Sequence, residues 1–169
     1  NYLDNFKADN HLSSEMIFTI QSDGIVTQNY GATTVIINGQ VGSIENNGSE
    51  FGVGGWGGAL RLRKQFVQKF DGSDFDYDSR KTIISSGRPI EISNVAIQAQ
   101  GYVLGKWSNR TSSGLPGQSS VFVDTDFPLF RLADFYLMYA EAQMRRDGAT
   151  NGNSTANADA TSLGYINAL

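Results

Sequence analysis

The sequence predicts a helix-and-loop protein with a few short strands, and three observations carry that reading. Apolar residues at 127–142 recur at steps of three and four, as on the packed face of a helix. A polar linker then leads into a second helical, alanine-containing segment, the arrangement of an αα-hairpin. Upstream, residues 22–58 are dominated by Gly, Asn, Ser and Thr and hold neither the helical nor the strand period, which is the mark of irregular chain. At 169 residues, with 40% hydrophobic and 11% aromatic content, the chain can bury a core.

Taken in order, residues 1–11 are polar with scattered Tyr2, Leu3 and Phe6, and Glu15-Met16-Ile17-Phe18-Thr19-Ile20 forms a short apolar run rich in strand formers. Six of the 19 glycines crowd between Gly48 and Gly58 inside the irregular tract. So long a tract without regular structure is uncommon in a compact domain unless it carries function or packs on something else. Residues 59–70 favour a helix of about three turns, with Leu62, Phe66 and Val67 or Phe70 spaced along one side. Asp71-Gly72-Ser73-Asp74 then signals a turn, and an acidic patch of Asp71, Asp74, Asp76 and Asp78 is answered by Arg80 and Lys81. Residues 83–92 and 95–107 alternate as short extended pieces.

In the strongest signal, Pro128 suits the first turn of a helix and Asp126 its cap. Phe130, Ala133, Leu137, Ala140 and Met144 share one face, and Leu129, Leu132, Tyr136 and Tyr139 widen it into a mostly buried helix, with both tyrosines in the core. Arg131 with Asp134 and Glu141 with Arg145 fall at ion-pair spacing, each worth a few tenths of a kcal/mol if exposed. Gly148 marks the end, 149–155 the linker, and 156–169 the second helix.

Composition excludes much chemistry. With 13 Lys+Arg against 17 Asp+Glu the net charge is −4, which provides no field for gathering phosphate backbones, so no nucleic-acid partner is expected. The absence of cysteine removes disulfides, thiolate metal sites and a cysteine nucleophile, and a single histidine, His11, removes multi-histidine zinc sites. His11 reads as a surface or capping residue. No run is long and apolar enough to span a membrane and no signal peptide is visible, so any anchor is expected outside these residues. The start at Asn1 and the stop within a helical pattern suggest a piece of a longer protein.

The helix pair resembles a tetratricopeptide-type unit, in which small residues permit close approach. Its wording is closer still to one family. Phe127-Pro128-Leu129-Phe130-Arg131-Leu132-Ala133-Asp134, then Leu137-Met138-Tyr139-Ala140-Glu141-Ala142, Gly148 and Tyr165-Ile166-Asn167-Ala168-Leu169 resemble the signature helix pair of the SusD/RagB family. Echoes follow in the right order upstream: Asn10 with Glu15-Met16-Ile17-Phe18, the Gly54-Gly55-Trp56-Gly57-Gly58 loop, Phe70, Asp78-Ser79-Arg80 and Lys106-Trp107-Ser108-Asn109.

The resemblance implies a mainly α fold, a SusD-like tetratricopeptide-type core with long irregular loops and a few short strands. Residues 1–169 would be one internal fragment, with 1–125 its loop-rich, ligand-facing part carrying one helix and 126–169 its helix pair. It further implies a non-catalytic lipoprotein at the outer-membrane cell surface, binding oligo- or polysaccharide for delivery to a TonB-dependent transporter of the SusC type. Membrane contact would be made only through a lipid anchor. Peptide binding, as in some members, is the alternative, and a carboxylate-dependent glycosidase a further one.

Sugar recognition needs a flat apolar face to stack on pyranose C–H bonds and planar polar groups around it. Trp56, flanked by glycines with Asn46, Asn47 and Glu50 nearby, meets the first need; the competing reading is a core plug that ties down a loose loop. Trp107 stands beside Lys106, Asn109 and Arg110 but ends an alternating run, which favours burial. The candidate ligand-binding residues are therefore Trp56, Trp107, Asn47 and Tyr30, with Tyr77 a lesser one. The Asp74-x-Asp76-x-Asp78 spacing opens like a calcium loop, but the sixth-position glycine and the closing glutamate are missing. A solvated turn with Asp78 paired to Arg80 fits better, and no metal ligand, cofactor or catalytic residue is assigned.

Overall fold

The computed structural model describes residues 1–41, 48–57, 59–85, 87–146 and 159–169. In chain order the regular elements are strand β1 (Met16–Ile20), helix α1 (Ala32–Gln40), helix α2 (Lys64–Val67), strands β2 (Ile83–Ile84), β3 (Val103–Leu104) and β4 (Phe127–Arg131), and helices α3 (Leu132–Arg146) and α4 (Ala160–Asn167). Short 3-10 turns occupy Tyr2–Phe6, Asn10–Leu12, Gly48–Phe51, Gln68–Phe70 and Ser73–Phe75. The chain divides into two compact units, one of residues 1–13 and 19–127 and the other of 14–18 and 128–169.

The larger unit holds a core of Phe6, Ile37, Val41, Val53, Trp107 and Val123, with Tyr2, Ile36, Phe51, Leu104 and Phe127 against it. Few ladders serve it: β2 and β3 pair antiparallel through Ile83 with Leu104 and Ile84 with Val103. Single backbone hydrogen bonds, such as Ala8 N to Arg110 O and Asn109 N to Phe51 O, and buried carboxamides tie the segments together. Asn10 donates to the carbonyls of Asn5 and Asp126 and accepts from the Asp126 amide. Asn109 donates to the carbonyls of Gly52 and Ser119 and accepts from the Asp124 amide.

Three sequence expectations change here. Residues 22–58 are not irregular throughout, because α1 lies within them. Its run of β-branched residues, Thr33 to Ile37, followed by Asn38-Gly39, is poor in helix propensity. Burial overrides that: Thr33, Thr34, Ile37, Asn38, Gly39 and Gln40 are all sequestered. The helix expected over 59–70 is confined to α2 and the following 3-10 turn. Residues 60–62 are engaged elsewhere: the Leu60 amide donates to Gly39 O and the Leu62 amide to Tyr102 O. The Arg61 guanidinium also donates to the carbonyls of Val95, Ile97 and Gln100.

The third change concerns Pro128, which lies in β4 rather than in a helix. In a two-stranded sheet of β1 with β4 each strand is an edge, where a missing N–H is tolerated. Helix α3 then starts at Leu132, with the Asp134 carboxylate accepting from the Arg131 amide at its first turn. Asp126 is no cap: it is buried and accepts from the Thr19 hydroxyl and the Ser22 amide.

In the smaller unit α3 packs on α4, with Tyr165 stacked on Tyr136 at 4.5 Å and meeting Tyr139 edge-on at 5.1 Å. Neither helix is mostly buried. Phe135, Leu137, Met138 and Tyr139 on α3 and Leu163 and Ile166 on α4 are exposed, so Tyr139 is not a core residue. Arg131 pairs with Glu15 at 3.1 Å, and Glu141 with Arg145 at 2.6 Å on the surface. Asp159 caps α4 by accepting from the Ser162 amide, which holds its carboxyl below the usual range. The expected stop at Gly148, the linker and the first residues of the 156–169 segment lie outside the described residues.

Candidate functional site

Two of the aromatics singled out from sequence come together in the larger unit. Tyr30 and Trp56 have ring centroids 6.3 Å apart with planes inclined by 37°. Phe122 abuts Tyr30 edge-on at 4.8 Å. The rings face water: Tyr30 is 61% exposed and Trp56 37%. Large aromatics kept in solvent and clustered are unusual in a protein that has core positions to offer them.

Each ring is set by its local backbone. Ahead of Tyr30, the Asp23 carboxylate accepts from the amides of Val26 and Ile25, which holds that carboxyl below its ordinary value. The Asn29 side chain accepts from the Gly31 amide in an Asx turn, and α1 begins directly after. Beside Trp56, Gly55 and Gly57 both have φ of +79°, a left-handed conformation that side chains resist. The glycines therefore serve the backbone. A Cβ at Gly57 would also run into the Gln98 carboxamide, so a planar polar group lies against this loop.

All three segments are fastened to α1. The Trp56 amide donates to the carbonyls of Asn38 and Val41, at 2.7 and 3.1 Å. The Gly55 amide donates to Asn38 Oδ1 at 3.2 Å, and Asn38 Nδ2 donates to Val121 O at 2.9 Å, next to Phe122. Thr34 Oγ1 accepts from the Val123 amide.

The other predicted residues lie elsewhere. Trp107 is corrected from a ligand candidate to a core residue, 9% exposed. It sits between Phe6 and Phe127, and its carbonyl accepts from the Gln40 side chain. Asn47, like Asn46, lies outside the described residues. Glu50 is exposed in the Gly48–Phe51 turn, where its carbonyl accepts from Arg110. Tyr77 is 98% exposed in the acidic turn. There Asp78 accepts from Arg80 Nε and Nη2, which holds its carboxyl down at about 2, and Asp76 meets Lys81. His11 is exposed in a surface turn. Sequence reading missed Phe122, Gln98 and Asn38, none of which carries a local signal.

The chain belongs to the SusD family, whose sequence profile matches residues 64–168, as the helix-pair wording led one to expect. It is 28% identical over 201 aligned positions to the starch-binding protein SusD of Bacteroides thetaiotaomicron, covering 90% of this chain and 36% of that protein. The crystal structure of a SusD superfamily protein from Parabacteroides distasonis matches with a TM-score of 0.59 and 19% identity, over 99% of this chain and 33% of that one. The fold is thus of the SusD type, with helices and a few short strands. The chain spans about a third of the length of either relative.

Proposed function

We propose that this chain forms part of a non-catalytic glycan-binding protein in which Trp56 and Tyr30 make the stacking platform. The observation that carries the reading is the exposed, mutually inclined Tyr30–Trp56 pair. Two apolar faces set at an angle suit successive sugar rings of a chain that bends, each stacked through its C–H bonds. Gln98, against the Trp56 loop, would supply a planar donor and acceptor to hydroxyl groups. Kinship with a protein named for starch binding favours an α-glucan as the first ligand to try. Single contacts of this kind are weak, and binding gains from repetition along a polymer.

The whole protein would work at the outer-membrane surface, held by a lipid anchor, passing oligosaccharide to a SusC-type TonB-dependent transporter. Affinity electrophoresis of the full-length protein in gels containing soluble starch or other polysaccharides, with product analysis on the same samples, tests this. Retardation without cleavage, lost in Trp56→Ala, is the expected result. Cleavage abolished by one Asp or Glu substitution overturns the non-catalytic reading, and binding of short peptides in place of every glycan overturns the ligand class.

A further inference from the structure

We infer that Asn38, a buried residue of α1, is the positioning residue of the aromatic platform: it fixes the Trp56 loop and the Phe122 segment to one helix, so that ligand affinity depends on it. This rests on the glycan-binding reading of Tyr30 and Trp56. Asn38 is 1% exposed and uses both ends of its carboxamide. Its Oδ1 accepts from the Gly55 amide, one residue before Trp56. Its Nδ2 donates to Val121 O, one residue before Phe122, and to Thr34 O on its own helix at 3.0 Å. Its carbonyl takes the Trp56 amide itself. The neighbouring Gly54 amide reaches Ser120 O at 2.8 Å, so the two loops are also joined directly.

The geometry makes one side chain the common node of the platform's parts. Phe122 in turn supports Tyr30. Aspartate at position 38 is nearly isosteric and can still accept from the Gly55 amide, but it loses both Nδ2 donations and sets a carboxylate against two carbonyl oxygens. Alanine loses the loop contact as well. A residue that only stabilised the fold would lower the melting temperature and leave the platform unaltered below it. A positioning residue changes the surroundings of Trp56 in protein that is still folded.

The test uses full-length protein labelled with 5-fluorotryptophan, the Trp56 fluorine resonance being assigned by its disappearance in Trp56→Phe. Maltoheptaose is the probe ligand. Well below the melting temperature, Asn38→Asp and Asn38→Ala should shift or broaden the Trp56 resonance while leaving that of the buried Trp107 in place. Both should weaken maltoheptaose binding by about tenfold or more, a loss of about 1.4 kcal/mol. A Trp56 resonance unmoved in both variants overturns the proposal, as does unchanged affinity where Trp56→Ala abolishes binding. If Trp56→Ala itself binds as wild type, the platform reading falls instead. Should neither Asn38 variant fold, amide exchange in the wild type decides: a Gly55 amide protected together with those of α1 supports the node, and one exchanging like an open loop overturns it.

Discussion

Trp107 and Phe127 lie with ring planes 5° apart and centroids 5.9 Å apart, and Phe6 closes on the indole edge at 4.9 Å. Lys106 sits over the Phe6 ring at 3.7 Å from its centroid, which roofs the stack with a cation. Three separate stretches of chain thus meet in one apolar knot of the larger unit. Trp107→Ala should cost roughly 3–5 kcal/mol of stability, as large-to-small changes of buried aromatics do. Urea unfolding followed by circular dichroism measures it.

Trp56→Ala should do the reverse. Its ring is partly in water, so unfolding should change little, while glycan affinity should drop by roughly 2 kcal/mol or more, as for a central tryptophan anchor. Tyr30→Ala should weaken binding less, because Trp56 and Phe122 remain. Isothermal titration with a binding oligosaccharide, beside melting curves of the same variants, separates the two effects.

Gly57→Ala places a side chain on a backbone with φ of +79° and against Gln98. The left-handed conformation alone should cost roughly 1–2 kcal/mol. The Trp56 indole should change its surroundings at the same time, which quenching of tryptophan fluorescence by iodide would record.

Asp78 should contribute to acid behaviour through its pairing with Arg80. Its folded-state value of about 2 lies below the unfolded one of 3.8, so its contribution is complete above the unfolded value and vanishes as pH falls through the folded one. Asp78→Asn should remove this part of the stability slope between about pH 4 and pH 2. Because the pair is exposed on its arginine side, the effect should be small and reduced by salt. Melting temperature against pH at two ionic strengths checks both points.

Asp159→Ala removes the cap of α4 and should destabilise that helix, felt as faster amide exchange in its first turn.

Local signals were readable where a residue's own neighbours decide its state. Tyr30 and Trp56 stand in Asn- and Gly-rich loops, which announces exposure, and Asp78 with Arg80 closes a turn by itself. The strand over 15–20 and the existence of two C-terminal helices were equally plain. Helix α1 was not, because β-branched residues speak against it and only burial from several directions makes it form. Nor was the true start of α3, since pairing of β4 with β1 depends on a partner far away in sequence. The roles of Phe122 and Asn38 arise the same way, from segments that meet only once the chain has folded. Trp107 and Trp56 are the same residue type, and their contrasting fates follow the alternating run of the one and the glycine-rich loop of the other, while the rings each one meets are fixed by tertiary neighbours.

The buried carboxamides of Asn10, Asn38 and Asn109 give the larger unit a character of their own. Each grips main-chain atoms of remote segments, at points where another architecture would run a β-ladder. A ladder commits every residue along its length to one register, whereas a clasp commits only the few peptide groups it holds. Stretches between clasps, such as 25–28 and 112–115, are exposed at most positions. Their length and sequence are open to drift while the ends stay put, so new surface contours can be tried on the same frame without refounding it.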